Sequence, residues 1–167
     1  MRVYVPATLP MLQELVTDGF LQPRGGTAFA VTPVLREAYA EGDDDELAEV
    51  AIGEAALSSL RLLSGDPESA LPLRRAVVVA DAADEKVTQR PDLDDAVVRV
   101  SGRIGIDQVA AVYVDNAAAE PAVRAAIDVI DDADLGDEDA ELTVGDAQDH
   151  ALAWYATQEL PFLLDLL

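Results

Sequence analysis

Short apolar runs and longer stretches of helical periodicity alternate along the chain, a pattern that predicts helices packed on a sheet. Arg2-Val3-Tyr4-Val5 reads as a first strand. Thr8 precedes Leu9 and Pro10, a capping hydroxyl followed by a first-turn proline, and predicts a helix over 9–18 that Gly19 stops. Gln22-Pro23-Arg24-Gly25-Gly26 reads as a turn before a short strand from Ala28 to Val31. A short helix follows Pro33 and ends near Gly42. Asp43 with Glu46 then forms a capping box for a long helix over 44–64, whose Leu47, Val50, Ala51, Leu57 and Leu60 make one apolar stripe.

The run Ala76-Val77-Val78-Val79-Ala80 is apolar at every position, which predicts a central strand covered on both faces. Residues 82–95 are polar, contain Pro91 and predict a loop. Val97 to Val100 and Val109 to Val114 are further strands, joined through the turn Ser101-Gly102-Arg103. Pro121 opens a helix over 120–131 in which Val123, Ile127 and Ile130 share a face. The chain closes on an apolar run, Leu152 to Tyr155, and a helix over 158–166. The expectation is one α/β domain over residues 1–167, with α+β as the alternative. It has a mixed sheet of about five or six strands packed by about four or five helices. The two ends read alike, each a strand, an Ala-Thr corner and a helix, and shared capping chemistry explains this more simply than two related units.

Composition narrows the function classes. The absence of cysteine excludes disulfides, thiolate metal sites and thiol nucleophiles, and fits a reducing compartment. No apolar run approaches the roughly eighteen residues of a membrane span, and the first residues lack the basic and apolar regions of a signal peptide. A cytoplasmic protein with no membrane partner is expected. Thirty-three acidic residues face eleven basic ones, of which only Lys86 is lysine, for a net charge of -22. Such a surface repels nucleic-acid phosphates and attracts cations and basic protein surfaces. A GC-rich coding bias or adaptation to salt produces the same composition, so the charge informs association and not chemistry. It is unevenly spread: residues 1–83 carry thirteen acidic and six basic groups, residues 84–167 twenty and five. From Asp128 to Asp149 there are ten acidic residues and no basic one, which reads as a solvated acidic loop.

No motif tied to a known mechanism is present. Arg24-Gly25-Gly26-Thr27 lacks the glycine spacing and the lysine of a phosphate-cradling loop and reads as a turn. There is no Gly-x-Ser-x-Gly elbow, and a Ser-His-acid arrangement would have only His150 to draw on. His150 is either a general base oriented by Asp146 or Asp149 or, more plainly, a loop histidine in acidic surroundings. Asp132, Asp134, Asp137 and Asp139 suggest a calcium loop, but Gly136 stands where a ligand is needed and Asp137 where the loop requires glycine. A subtler constellation is Thr8, Asp81, Asp115 with Asn116, and Thr157, each at the carboxyl end of an expected strand. If the strands run parallel, these groups converge on a place that suits Mg²⁺ or a hydroxylated ligand. The plainer reading is that all of them begin helices or turns.

The stretches Arg2-Val3-Tyr4-Val5-Pro6-Ala7-Thr8, Val109-Ala110-Ala111-Val112-Tyr113-Val114-Asp115 and Trp154-Tyr155-Ala156-Thr157-Gln158-Glu159-Leu160-Pro161 together resemble a family of small acidic actinobacterial proteins of unknown function. The resemblance implies an intracellular protein and brings no activity, cofactor or catalytic residue. The leading expectation is therefore a non-catalytic protein acting through contact with a basic protein surface. The alternative is a small metal-assisted, Mg-type enzyme built on Asp81, Asp115, Asn116 and His150. No cofactor is expected beyond weak binding of a divalent cation. An exposed Trp154-Tyr155 or Phe162-Leu163-Leu164 patch would point to a dimer.

Overall fold

The structure, a computed structural model, describes residues 1–39 and 41–167. Its first half comprises β1 (Arg2–Ala7), α1 (Leu9–Asp18), β2 (Phe20–Leu21), β3 (Thr27–Phe29), α2 (Pro33–Ala38), α3 (Asp44–Ser64) and β4 (Ala76–Asp81). The second half adds β5 (Val87–Gln89), β6 (Val97–Val100), β7 (Ile104–Gly105), β8 (Val109–Val114), α4 (Glu120–Asp134), α5 (Glu138–Gln148), β9 (Ala153–Ala156) and α6 (Leu160–Asp165). The main sheet has seven strands in the order β5-β6-β3-β1-β4-β8-β9, and β2 with β7 forms a separate ribbon.

The mixture of helices and strands is as expected, but the mixed sheet of five or six strands is corrected: every neighbouring pair among the seven is antiparallel. The additional strands, β2, β5 and β7, are two or three residues long, too short for a period-two pattern to mark them. Among the described residues six α-helices form where four or five were expected. The helices over 9–18 and 44–64 match the expectation to the residue. The short helix after Pro33 ends at Ala38, and its expected continuation toward Gly42 crosses residue 40, outside the described residues.

Alternation along the central strands divides the core. Val3, Val5, Ala7, Val78 and Ala80 face α1 and α6, whose Leu9, Leu12, Leu15, Leu160 and Leu163 cover them. Tyr4, Val77, Val79 and Ala111 point the other way, under Leu47, Ala51 and Ala55 of α3. A register shift between Val79 and Ala80 leaves Ala110 opposite no partner. The extra residue lets Val109 and Val112, three positions apart, enter the same core. Ser59 of α3 is fully buried, donating to the carbonyl of Ala7 at 2.7 Å and accepting from the amide of Ala76 at 3.1 Å. It thereby joins the helix to the ends of two strands and satisfies polar groups that would otherwise be stranded.

The acidic window is not a loop. It forms α4 and α5, a hairpin turning at Leu135-Gly136 and packed on Leu60 and Leu63 of α3 through Val123, Ile127, Ile130, Val144 and Ala147. Asp137 caps α5, its carboxylate accepting from the amide of Ala140 at 2.9 Å. Ala140, Val144 and Ala147 make a helical stripe that the surrounding charge obscures, while all ten acidic side chains stay on the exposed faces. At the chain ends, Thr8 caps α1 as expected, but Thr157 does not cap: its hydroxyl donates to the carbonyl of Val109 at 2.9 Å. The likeness of the two ends is therefore one of sequence and not of local bonding.

Candidate functional site

Antiparallel order separates the strand-end constellation. Ala7, Ala76 and Val114 lie in register at one end of the sheet, so Thr8 and Asp115 with Asn116 gather there. Asp81 lies at the other end beside Arg2, as does Thr157 beside Val109. The condition for convergence fails because neighbouring strands point in opposite directions. Among the described residues no group of three or more His, Cys, Asp or Glu side chains is placed to hold a metal ion.

Asp115 is fully buried, and both of its oxygens are occupied. Arg75 Nε donates to Oδ2 at 2.9 Å, Nη2 to Oδ1 at 2.7 Å, and the Arg75 amide to Oδ2 at 2.8 Å. The remaining face of the guanidinium is held by Gln148 Oε1 at 2.9 Å and the His150 carbonyl at 2.7 Å, and Gln148 donates in turn to the carbonyl of Gly53 at 3.0 Å. Satisfying each donor in this way is what lets an arginine sit at the end of a core strand. A metal ion at Asp115 would have to displace Arg75. His150 enters this network through its backbone, accepting from Arg75 and donating its amide to the carbonyl of Ala147. Asn116 is exposed and begins a turn whose side-chain oxygen caps nothing.

Asp81 is exposed and forks onto Arg2, with Nε to Oδ1 and Nη2 to Oδ2 both at 3.1 Å. The Arg2 hydrogen bonds hold the Asp81 carboxyl below the usual carboxylate range, with desolvation opposing them and the Arg2 charge adding to them. Between these two arginine–aspartate pairs runs a groove, with α3 on one side and β8 and β9 on the other. Its Arg2 end encloses about 390 Å³ and is lined by Tyr4, Asp45, Glu49, Ala110, Tyr113 and Trp154 among others. Its Arg75 end encloses about 400 Å³ beside Gln148, His150 and Leu152. Glu49, Ile52 and Tyr113 line both parts.

The groove exists because α3 packs over β1, β3 and β4 and leaves the end of the sheet open. Trp154 lies opposite Tyr113 in register and is 56% exposed, while Tyr155, pointing to the other face, packs against the α1 and α6 core. Tyr4 is 7% exposed and lines the groove; its hydroxyl, without a hydrogen-bond partner among the described residues, still reaches solvent. Burial pushes the Tyr4 phenol up; Arg2 opposes this, and Tyr113, Asp45 and Asp81 add to it. Asp45 and Glu49 stand one helical turn apart on α3, exposed and without a basic partner among the described residues. Of these residues only Trp154 stood out in the sequence. Tyr4 and Tyr113 sit inside runs that read as ordinary strands, and their alignment needs the pairing order.

The profile of a family of unknown function, DUF6912, matches residues 1–164. The chain belongs to the DUF6912 family. No curated protein and no solved structure matches it. For this DUF6912 protein the site must therefore be read from its own geometry. Its groove offers aromatic faces and free carboxylates, and its fixed charges at either end are neutralised internally. No helix is long and apolar enough to cross a membrane. The Gly25–Gly26 segment is a turn, as expected: a Cβ on Gly26, at φ 73°, would approach the Val100 carbonyl oxygen to 3.0 Å.

Proposed function

We propose that this protein is a non-catalytic binding module whose partner presents a basic protein surface to the α4–α5 hairpin and the groove that ends beside it. The observation that carries this reading is the hairpin's charge: ten acidic residues stand on exposed faces, and only Asp134, paired with Arg61 at 2.9 Å, has a basic partner among the described residues. Charges left open on a rigid scaffold raise association rates and select the sign of the partner more than they add affinity.

The test is fluorescence anisotropy of a labelled oligolysine, which reports charge without aromatic stacking. Saturable binding at low salt should weaken at least about 10-fold at 0.3 M salt, as screening shortens the Debye length to under about 10 Å. Neutralising Asp139, Glu141 and Asp146 should weaken binding more than neutralising Glu14, Asp18 and Asp165, which lie on α1 and α6. No binding at low salt, or equal losses in the two variants, overturns the reading.

A further inference from the structure

We infer that the groove between α3 and β8–β9 receives an arginine side chain of the basic partner, its guanidinium stacked on Trp154 and paired with Glu49 and Asp45. This rests on the contact reading above and goes further, because it names the anchoring group and the place where it enters.

Three separate features select that chemistry. Trp154 is a large aromatic side chain held 56% exposed on a rigid strand, directly across from Tyr113. An aromatic face beside negative charge attracts cations, and indole does so best. Tyr4 lines the groove with a mostly buried ring whose hydroxyl has no hydrogen-bond partner among the described residues and still reaches solvent, so that an N–H donor entering the groove can pair with it. Asp45 and Glu49, four residues apart on α3, bring to the same rim two carboxylates that have no basic partner among the described residues.

A guanidinium matches this set better than an ammonium. Its plane stacks on an aromatic face while its edge forks onto a carboxylate, and it is the more weakly hydrated of the two cations. The protein uses the same contact internally, with Arg103 lying 4.1 Å from the centre of the Phe20 ring. Arg2 does not compete for the rim, because its Nε and Nη2 are both given to Asp81. The floor is made of small side chains, Val79, Ala110 and Ala111, and the enclosed volume of about 390 Å³ accommodates a whole arginine side chain.

Trp154 is the only tryptophan in the chain, so its emission reports the groove directly. The probe is a blocked glycine-flanked peptide carrying two arginines, compared with its lysine and citrulline counterparts. The arginine peptide should quench Trp154 saturably, at least about 5-fold more tightly than the lysine peptide and more than about 10-fold more tightly than the neutral citrulline one. Asp45→Asn with Glu49→Gln, both exposed changes, should weaken it about 10-fold, and Tyr4→Phe about 2- to 5-fold with unchanged circular dichroism. Equal affinity for arginine and citrulline, equal affinity for arginine and lysine, or indifference to the Asp45/Glu49 change overturns the inference. If the arginine peptide fails while oligolysine still binds through the hairpin, the groove assignment falls and the contact reading stands. If neither binds, both fall.

Discussion

The two ends of β4 carry the same chemical pair in opposite surroundings. At one end Arg75 forks onto Asp115 with side-chain exposures of 2% and 0%; at the other Arg2 forks onto Asp81 with exposures of 52% and 61%. The covalent groups and the bidentate geometry are alike. What differs is cover: Gln148 and the His150 carbonyl close over Arg75, whereas Arg2 and Asp81 stand in water. A desolvated pair must satisfy every donor or it costs the fold several kcal/mol, while an exposed pair is screened to near indifference. The groove spans the distance between them, so one end is bounded by a buried, fully bonded pair and the other by an exposed one.

Removing one partner breaks this comparison most directly. Asp115→Ala leaves a buried guanidinium unpaired and should cost about 3–5 kcal/mol in urea unfolding, whereas replacing both Arg75 and Asp115 by apolar residues of similar volume should recover much of that loss. If the single change costs under about 1 kcal/mol, Arg75 reaches water and the two ends are not different in kind. Gln148→Ala, which uncovers Arg75 and also releases the Gly53 carbonyl, should cost about 1–3 kcal/mol. Asp81→Ala should cost about 0.2–1 kcal/mol, and the loss should fade at high salt.

Titration sharpens the contrast with its sign. Asp81 and Asp134 are both held below the usual carboxylate range by hydrogen bonds from Arg2 and Arg61. Their contribution is therefore complete above the ordinary carboxylate range and is lost as pH falls through their lowered folded values. Glu54 on α3 behaves in the opposite sense, since burial, with help from Asp94, pushes its carboxyl up. Its ionised form weighs against the fold at neutral pH, and protonation relieves that as pH falls through its raised value. Thermal unfolding should therefore show stability rising slightly on mild acidification, a rise reduced in Glu54→Gln, and then falling. A monotonic decline from pH 7 would contradict this.

The elements legible in the sequence were those with long periodic patterns. α1 and α3 were bounded to the residue because Thr8, Asp43 and Gly19 are local signals that act through the backbone next to them. β4 was legible as a doubly covered strand because each of its first five residues is apolar. α5 was hidden because its three buried residues are Ala140, Val144 and Ala147 among acids, and a small stripe carries little signal against that charge. The site was less legible than the fold. Asp81 and Asp115 look equivalent in sequence, each ending a strand, and only the position of Arg2 and Arg75 on the paired strand or beside it separates a surface pair from a buried one. Of the patches expected to mark a dimer, Trp154 is exposed while Tyr155 is half-buried, and Phe162 is exposed while Leu163 is buried.

The amino-acid sequence by itself determined the longer periodic helices and strands, where α1 and α3 start and stop, and that the chain carries a large negative charge. These follow from interactions between residues a few positions apart, or from composition. Only the tertiary structure decided that the sheet is antiparallel, that Arg75 and Asp115 neutralise one another, and that Tyr4, Tyr113 and Trp154 line one groove under Asp45 and Glu49. Those residues lie up to the length of the chain apart, and side-chain alternation fixes the face each occupies but not its neighbours. Strand order supplies the neighbours, and the partial cover of the sheet by α3 decides which aromatic side chains remain open to a ligand.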